Sequence, residues 1–138
     1  MEQSEEIRDL LASLIETFGK PQWGRAFISA MSEERGVLLV GMDPAEWWDN
    51  VDHMQRALHA QTAELQGASA EVNHSEGWVQ GEVGWGAVKA DVVALDGPPV
   101  AARVTATLAR GPVGWKIVQF HASVGATNEE VFGQELTV

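Results

Sequence analysis

Between Gly114 and Gly125 the chain reads GWKIVQFHASVG, a run bounded by glycine and built on a two-residue rhythm. Side chains alternate with that period only in an extended strand. With unbroken alternation, Trp115, Ile117, Gln119, His121 and Ser123 share one face, and Lys116, Val118, Phe120, Ala122 and Val124 share the other. Both faces carry large apolar groups, so the strand is expected in the middle of a sheet, covered on both sides. The first face passes from Trp and Ile to His and Ser. That gradient is expected of an inward surface that is core at one end and pocket at the other.

The preceding residues supply partners for this strand. Turn signals at Glu76-Gly77, Asp96-Gly97-Pro98-Pro99 and Gly111-Pro112 divide the second half into strands over roughly 69–78, 80–95, 100–110 and 113–124. Gly81, Gly84 and Gly86 are expected to bring bulges and strong curvature to the second of these.

The first half is helical. Ser4 is placed to cap a helix whose apolar residues Ile7, Leu10, Leu11, Leu14, Ile15 and Phe18 recur with helical spacing up to a stop at Gly19. Pro21 opens a short second helix with Trp23, Phe27, Ala30 and Met31 on one face, and Val37–Val40 is a short buried strand. Asp43-Pro44-Ala45-Glu46 has the form of a capping box, predicting a third helix that buries Trp47, Val51, Met54, Leu58 and Leu65 and ends near Gly67. A last helical turn is expected at Asn128–Phe132. Three helices followed by a meander of antiparallel strands give an α+β fold, a cone-shaped curved sheet with the helices on its concave face. The chain is expected to form a single domain over residues 1–138.

Composition removes several classes of function. Twenty acidic residues stand against nine basic ones, a formal charge of −11, and no basic stripe exists for phosphate. Neither nucleic acid nor an anionic membrane is an expected partner. There is no cysteine, so thiol catalysis, disulfides and Cys-ligated metals are excluded. His53, His59 and His74 lack ligand spacing, and no metal or cofactor is expected. The glycines around Trp85 have no helix after them, which excludes a dinucleotide loop. The acidic start MEQSEEIRDLLASL differs from a basic leader, and no apolar run approaches membrane length, so a cytoplasmic location is expected.

Four segments carry a resemblance to a known family. GWKIVQFHASVG resembles the last long strand of the SnoaL-like branch of the nuclear-transport-factor-2-like (ketosteroid-isomerase-like) superfamily. GMDPAEWW, GWVQGEVGW and ARVTATLARG resemble its segments in the same order, so the likeness spans about Ile7 to Gly125. The resemblance implies the cone fold. It leaves function open, because members include isomerases, dehydratases, cyclases, epoxide hydrolases, transport factors and domains without known activity. The steroid isomerases and scytalone-dehydratase-like enzymes use tyrosine hydroxyls, and this chain has no tyrosine.

The candidate site is read from the strands. Counting back through the Gly111–Gly114 turn sets Thr105 and Arg103 opposite His121 and Ser123, predicting one polar cluster at the pocket end. His121 is the candidate catalytic base. Asp43 is first a helix cap and second a candidate acid or base. Six tryptophans among ten aromatic residues fit either plain core packing or an apolar, tryptophan-lined pocket with Trp47, Trp85 and Trp115 in its wall. Asp91 is a candidate partner for Arg103, in the manner of epoxide hydrolases.

Two functions remain open. One is a binding domain that holds an apolar or mixed small molecule through a polar anchor made of Arg103, Thr105 and Ser123. The other is a cofactor-independent isomerase, dehydratase, cyclase or epoxide-hydrolase-like enzyme that uses His121 with a carboxylate. A homodimer is expected through the outer face of the sheet, with Val118, Phe120, Val104, Ala106 and Leu108 on that face.

Overall fold

In the computed structural model, which describes residues 1–138, the chain runs β1 (Glu2–Gln3), α1 (Glu5–Glu16), α2 (Trp23–Ala30), β2 (Leu38–Val40), β3 (Trp47–Trp48) and α3 (Val51–Glu64). It continues through β4 (Ser69–Gln80), β5 (Val83–Val93), β6 (Val100–Gly111), β7 (Gly114–Val124) and α4 (Asn128–Phe132). The strands form one sheet in the order β1-β4-β5-β6-β7-β2-β3. Every pairing is antiparallel except β2 with β7. The fold is α+β, with α1 lying on β4 and β5, α2 reaching β7, and α3 packed on α2.

The helix starts follow from local chemistry. Ser4 Oγ accepts from the Ile7 amide at 3.2 Å and caps α1. Ile7, Leu11, Leu14 and Ile15 turn one stripe of α1 into the core. Asp43-Pro44-Ala45-Glu46 forms half of a capping box without a helix. Glu46 Oε1 accepts from the Asp43 amide at 2.9 Å, and Asp43 Oδ1 accepts from the Ala45 amide at 2.8 Å. The bonds close a tight turn between β2 and β3, and α3 begins later, where Asn50 Oδ1 accepts from the His53 amide. Trp47 therefore lies in a strand, not on the buried face of a helix.

Glycine sets the distance between α1 and the sheet. Gly77 does not turn the chain: β4 runs on to Gln80, and the turn falls at Gly81, whose φ is +63°. A Cβ on Gly77 would lie 2.6 Å from both the Arg8 nitrogen and the Ser4 oxygen. On Gly84 and Gly86 it would lie 2.4 Å from Ile7 Cδ1 and Leu11 Cδ1 respectively. These glycines let a helix approach the strands closely instead of bulging them. The bulges occur elsewhere, at Val72/His74 of β4 and between Thr107 and Leu108 of β6 against β7.

The second bulge changes the facing of β7. Thr107 pairs with Gln119 and Leu108 with Ile117, so Val118 has no partner and the alternation slips by one residue. Trp115 and Ile117 are buried, and past the bulge the buried residue is Phe120. Val104, Ala106, Leu108 and Phe120, expected on the outer face, belong to the core beneath the helices. Gln119, His121 and Ser123 turn outward.

Candidate functional site

Between the helices and one end of the sheet lies a cavity of about 330 Å³. Its floor consists of small inward residues: Ala70 of β4, Ala90 and Val92 of β5, Ala102 and Val104 of β6, and Ala122 of β7. At the opposite end of the same face, Ile7 and Leu11 fill the space over the glycines. The cavity thus exists where the strands carry alanine and no helix side chain descends to meet them.

An aromatic series forms one wall. Phe18 packs edge-on against Trp23, Trp23 against Phe27 and Phe27 against Phe120, with ring centroids 5.3, 5.1 and 4.7 Å apart. All four line the cavity, with Ile15, Leu39, Trp48 and Leu58. Perpendicular ring packing at these distances suits the aromatic quadrupole and stiffens the wall. Thr62 holds α2 to α3 beside it, accepting from the Gly24 amide at 3.0 Å and donating to the Leu58 carbonyl at 2.7 Å.

The polar groups lie towards the mouth. Glu46, from the β2–β3 turn, accepts at Oε2 from Gln61 Nε2 of α3 at 2.9 Å. Its Oε1 is the atom already bonded to the Asp43 amide, so both oxygens are engaged. Glu64 is exposed at the rim. Glu46 and Glu64 are the only charged residues among the twenty that line the cavity, and sixteen of the twenty are hydrophobic.

None of the nine residues singled out from the sequence lines this cavity. The predicted register is present, with Thr105 opposite His121 and Arg103 opposite Ser123. The face is the other one, because of the bulge at Val118, and Arg103, Thr105 and His121 are exposed on the outside of the sheet. Asp43 is exposed in its turn. Trp47 is 63% exposed, and its neighbour Trp48 takes the inward place. Trp85 is 37% exposed on the outer face, stacked on Trp78 with centroids 6.2 Å apart. Trp115 is buried outside the cavity, with the Arg110 guanidinium 4.4 Å from its ring centre. Asp91 stands opposite Ala101 and accepts from Asn73 Nδ2 at 3.1 Å, while Lys89 stands opposite Arg103.

Glu76 is the perturbed carboxylate of the outer face. Hydrogen bonds from the His74 imidazole (2.8 Å) and, second, from the Trp78 indole (3.0 Å) hold its pKa below the ordinary glutamate value. It serves the surface and not the cavity. No three His, Asp or Glu side chains gather anywhere to hold a metal ion, and no helix is long and apolar enough to cross a membrane. The sequence did carry a signal for the cavity: alanine or valine at alternate positions, 90 and 92, 102 and 104, marks a strand end with little to fill the space above it.

The profile of the SnoaL-like domain matches residues 7–127. No curated protein matches the sequence. Among solved structures, an NTF2-like protein of unknown function from Pseudomonas putida KT2440 is similar with a TM-score of 0.77 at 13% identity, over 98% of this chain and 96% of that one. A proposed dehydratase of the NTF2-like family from Streptomyces avermitilis gives 0.72 at 16% identity, over 88% and 97%. A proposed ketosteroid isomerase from Parabacteroides distasonis ATCC 8503 gives 0.67 at 16%, over 85% and 83%. At such identities the likeness is one of fold.

Proposed function

The chain belongs to the SnoaL-like domain family, and from that membership we propose that it binds a small apolar molecule in the cavity between its sheet and helices. The supporting observation is the lining: sixteen hydrophobic residues among twenty around about 330 Å³. That volume is at the small end of the usual range for ligand sites and suits a compact ligand. A ligand burying roughly 200 Å² of apolar surface gains about 5 kcal/mol at ~25 cal/mol per Å². Association costs reduce this, so apolar contact alone gives weak binding, and tighter binding needs a polar contact.

The test is to fill the cavity. Ala102 is buried in its floor, and Ala102→Leu projects three more carbons into the space a ligand needs. Titration with tetralin, followed by calorimetry, is expected to give saturable binding to the native protein and at least a tenfold loss in the variant, with the melting temperature held or raised. A variant that binds tetralin as tightly as the native protein refutes the assignment.

The enzymatic alternative has one specific support, the presence of Glu46 and Glu64 in the cavity wall. In that reading a wall carboxylate moves the proton, not His121, which does not line the cavity. Turnover that survives replacement of both carboxylates by glutamine would sink it. We also propose a homodimer through the outer sheet face, on the strength of the exposed Trp47 and Trp85 and the half-buried Trp78 beside Trp85.

A further inference from the structure

We infer, on the reading that this cavity binds a ligand, that its ligand is an uncharged molecule carrying a hydrogen-bond acceptor, in the simplest case a carbonyl oxygen, which pairs with the indole N–H of Trp23.

Trp23 Nε1 is the one buried side-chain nitrogen or oxygen in the chain that has no hydrogen-bond partner. The residue is 7% exposed and lines the cavity. An indole nitrogen only donates, and a buried tryptophan ordinarily finds an acceptor. An unsatisfied donor in a native interior needs an explanation, because a buried donor left unpaired costs free energy.

The protein offers this donor nothing better. Phe18 and Phe27 flank the ring at interplanar angles of 84° and 76°, and an aromatic face is a weak acceptor. The Thr62 hydroxyl donates to Leu58 and accepts from Gly24, and not from Trp23. Glu46 accepts from the Asp43 amide and from Gln61, and not from Trp23. That the only orphaned buried donor belongs to a cavity wall points to an acceptor delivered by the occupant.

Charge narrows the class. The lining contains two glutamates and no lysine, arginine or histidine. A carboxylate or phosphate ligand would supply an acceptor but would meet like charge with no basic group to offset it. A ketone, aldehyde, ester or ether oxygen satisfies the indole without that penalty.

A matched pair of probes tests the inference. The bicyclic ketone 1-tetralone and the hydrocarbon tetralin share a skeleton and differ by one carbonyl. The native protein is expected to bind 1-tetralone about fivefold to tenfold more tightly, the usual return on one net hydrogen bond. In Trp23→Phe the preference is expected to fall to within twofold. Because it is a ratio measured on one variant, general losses of packing cancel. A preference that persists in Trp23→Phe, or equal binding of the two probes by the native protein, overturns the inference and leaves the cavity assignment standing. Failure of the native protein to bind either probe overturns both. Should the variant lose its fold or its affinity for both probes, the native ¹H–¹⁵N spectrum decides. The Trp23 indole resonance is expected to move downfield with 1-tetralone and not with tetralin, and a resonance unmoved by the saturating ketone overturns the inference. As a third arm, 1-naphthoate is expected to bind at least tenfold more weakly than 1-tetralone; equal or tighter binding refutes the uncharged class.

Discussion

At Gly77 and Gly81 the same residue type does two unrelated jobs. Gly81 sits at φ +63° with open space around it, so an alanine there suffers only the left-handed backbone, about 1–2 kcal/mol. Gly77 has an ordinary φ but no room, since an added Cβ meets backbone atoms of Arg8 and Ser4 that cannot rotate away. Gly77→Ala is expected to cost roughly 3 kcal/mol, at the upper end of overpacking, because it lifts α1 off the sheet. Urea melts of the two variants check this, and a Gly77→Ala protein more stable than Gly81→Ala contradicts the close-approach account. Glu76 gives a residue-scale dependence on pH. Its folded pKa lies below the ordinary 4.5, so its contribution is complete above that value and is lost as pH falls through the folded value. Glu76→Gln is expected to show a shallower loss of stability between pH 7 and 3 than the native protein; superimposable profiles would exclude the interaction.

Among the elements, β7 shows how one unpaired residue reassigns a strand. Buried Ile117 and Phe120 are separated by two residues, Val118 and Gln119, where alternation allows one. Deleting Val118 therefore restores plain alternation and keeps Trp115, Ile117, Phe120 and Ala122 inward. The deletion is expected to fold cooperatively, about 1–3 kcal/mol less stable for the lost side chain and altered twist. Without a bulge, plain alternation would hold His121 on the inward face with Trp115 and Ile117, and the same deletion would turn it and the rest of the strand to the opposite face; a deletion variant that does not fold counts against the bulge. The Asp43–Glu46 segment shows a related limit. Glu46 reaches back to the Asp43 amide and Asp43 Oδ1 takes the Ala45 amide, yet the next residues, Trp47 and Trp48, pair with β2 instead of continuing a helix. A capping box fixes the geometry of a turn and leaves the next element to be decided by pairing and burial.

At the scale of the whole molecule, the sheet has one face under helices and one without such cover. The outer face carries Trp85, Val83 and Trp47 among Arg103, Thr105, His121 and Lys89, a mixed surface of the kind found where copies of a chain meet. Sedimentation equilibrium at micromolar concentration is expected to show a dimer, and Trp85→Glu is expected to shift it to monomer without lowering the concentration-independent part of the melting transition. A monomeric native protein removes the proposal. The cavity is on the other side of the sheet, so dissociation is expected to leave tetralin binding in place.

Legible in the sequence alone were the order of the main elements, the start of α1, the extent of α4, the presence of α2, the four long strands and the pairing of Thr105 with His121; α1 itself ends at Glu16, short of the Gly19 stop. These rest on local periodicity and turn chemistry, which a single chain segment expresses without its neighbours. The register that sets Thr105 opposite His121 and Arg103 opposite Ser123 was read correctly. Which side of the sheet they occupy was decided at Val118, where an unpaired residue shifts the phase of everything after it. Nothing local marks that residue, because the bulge exists only in the pairing of β7 with β6 and in the demand that Ile117 and Phe120 both be buried. The cavity is likewise a tertiary product. It arises from the alanines of four strands, the aromatic rings of α2, β7 and the segment after α1, and two glutamates from separate segments, brought together by packing across more than a hundred residues of chain.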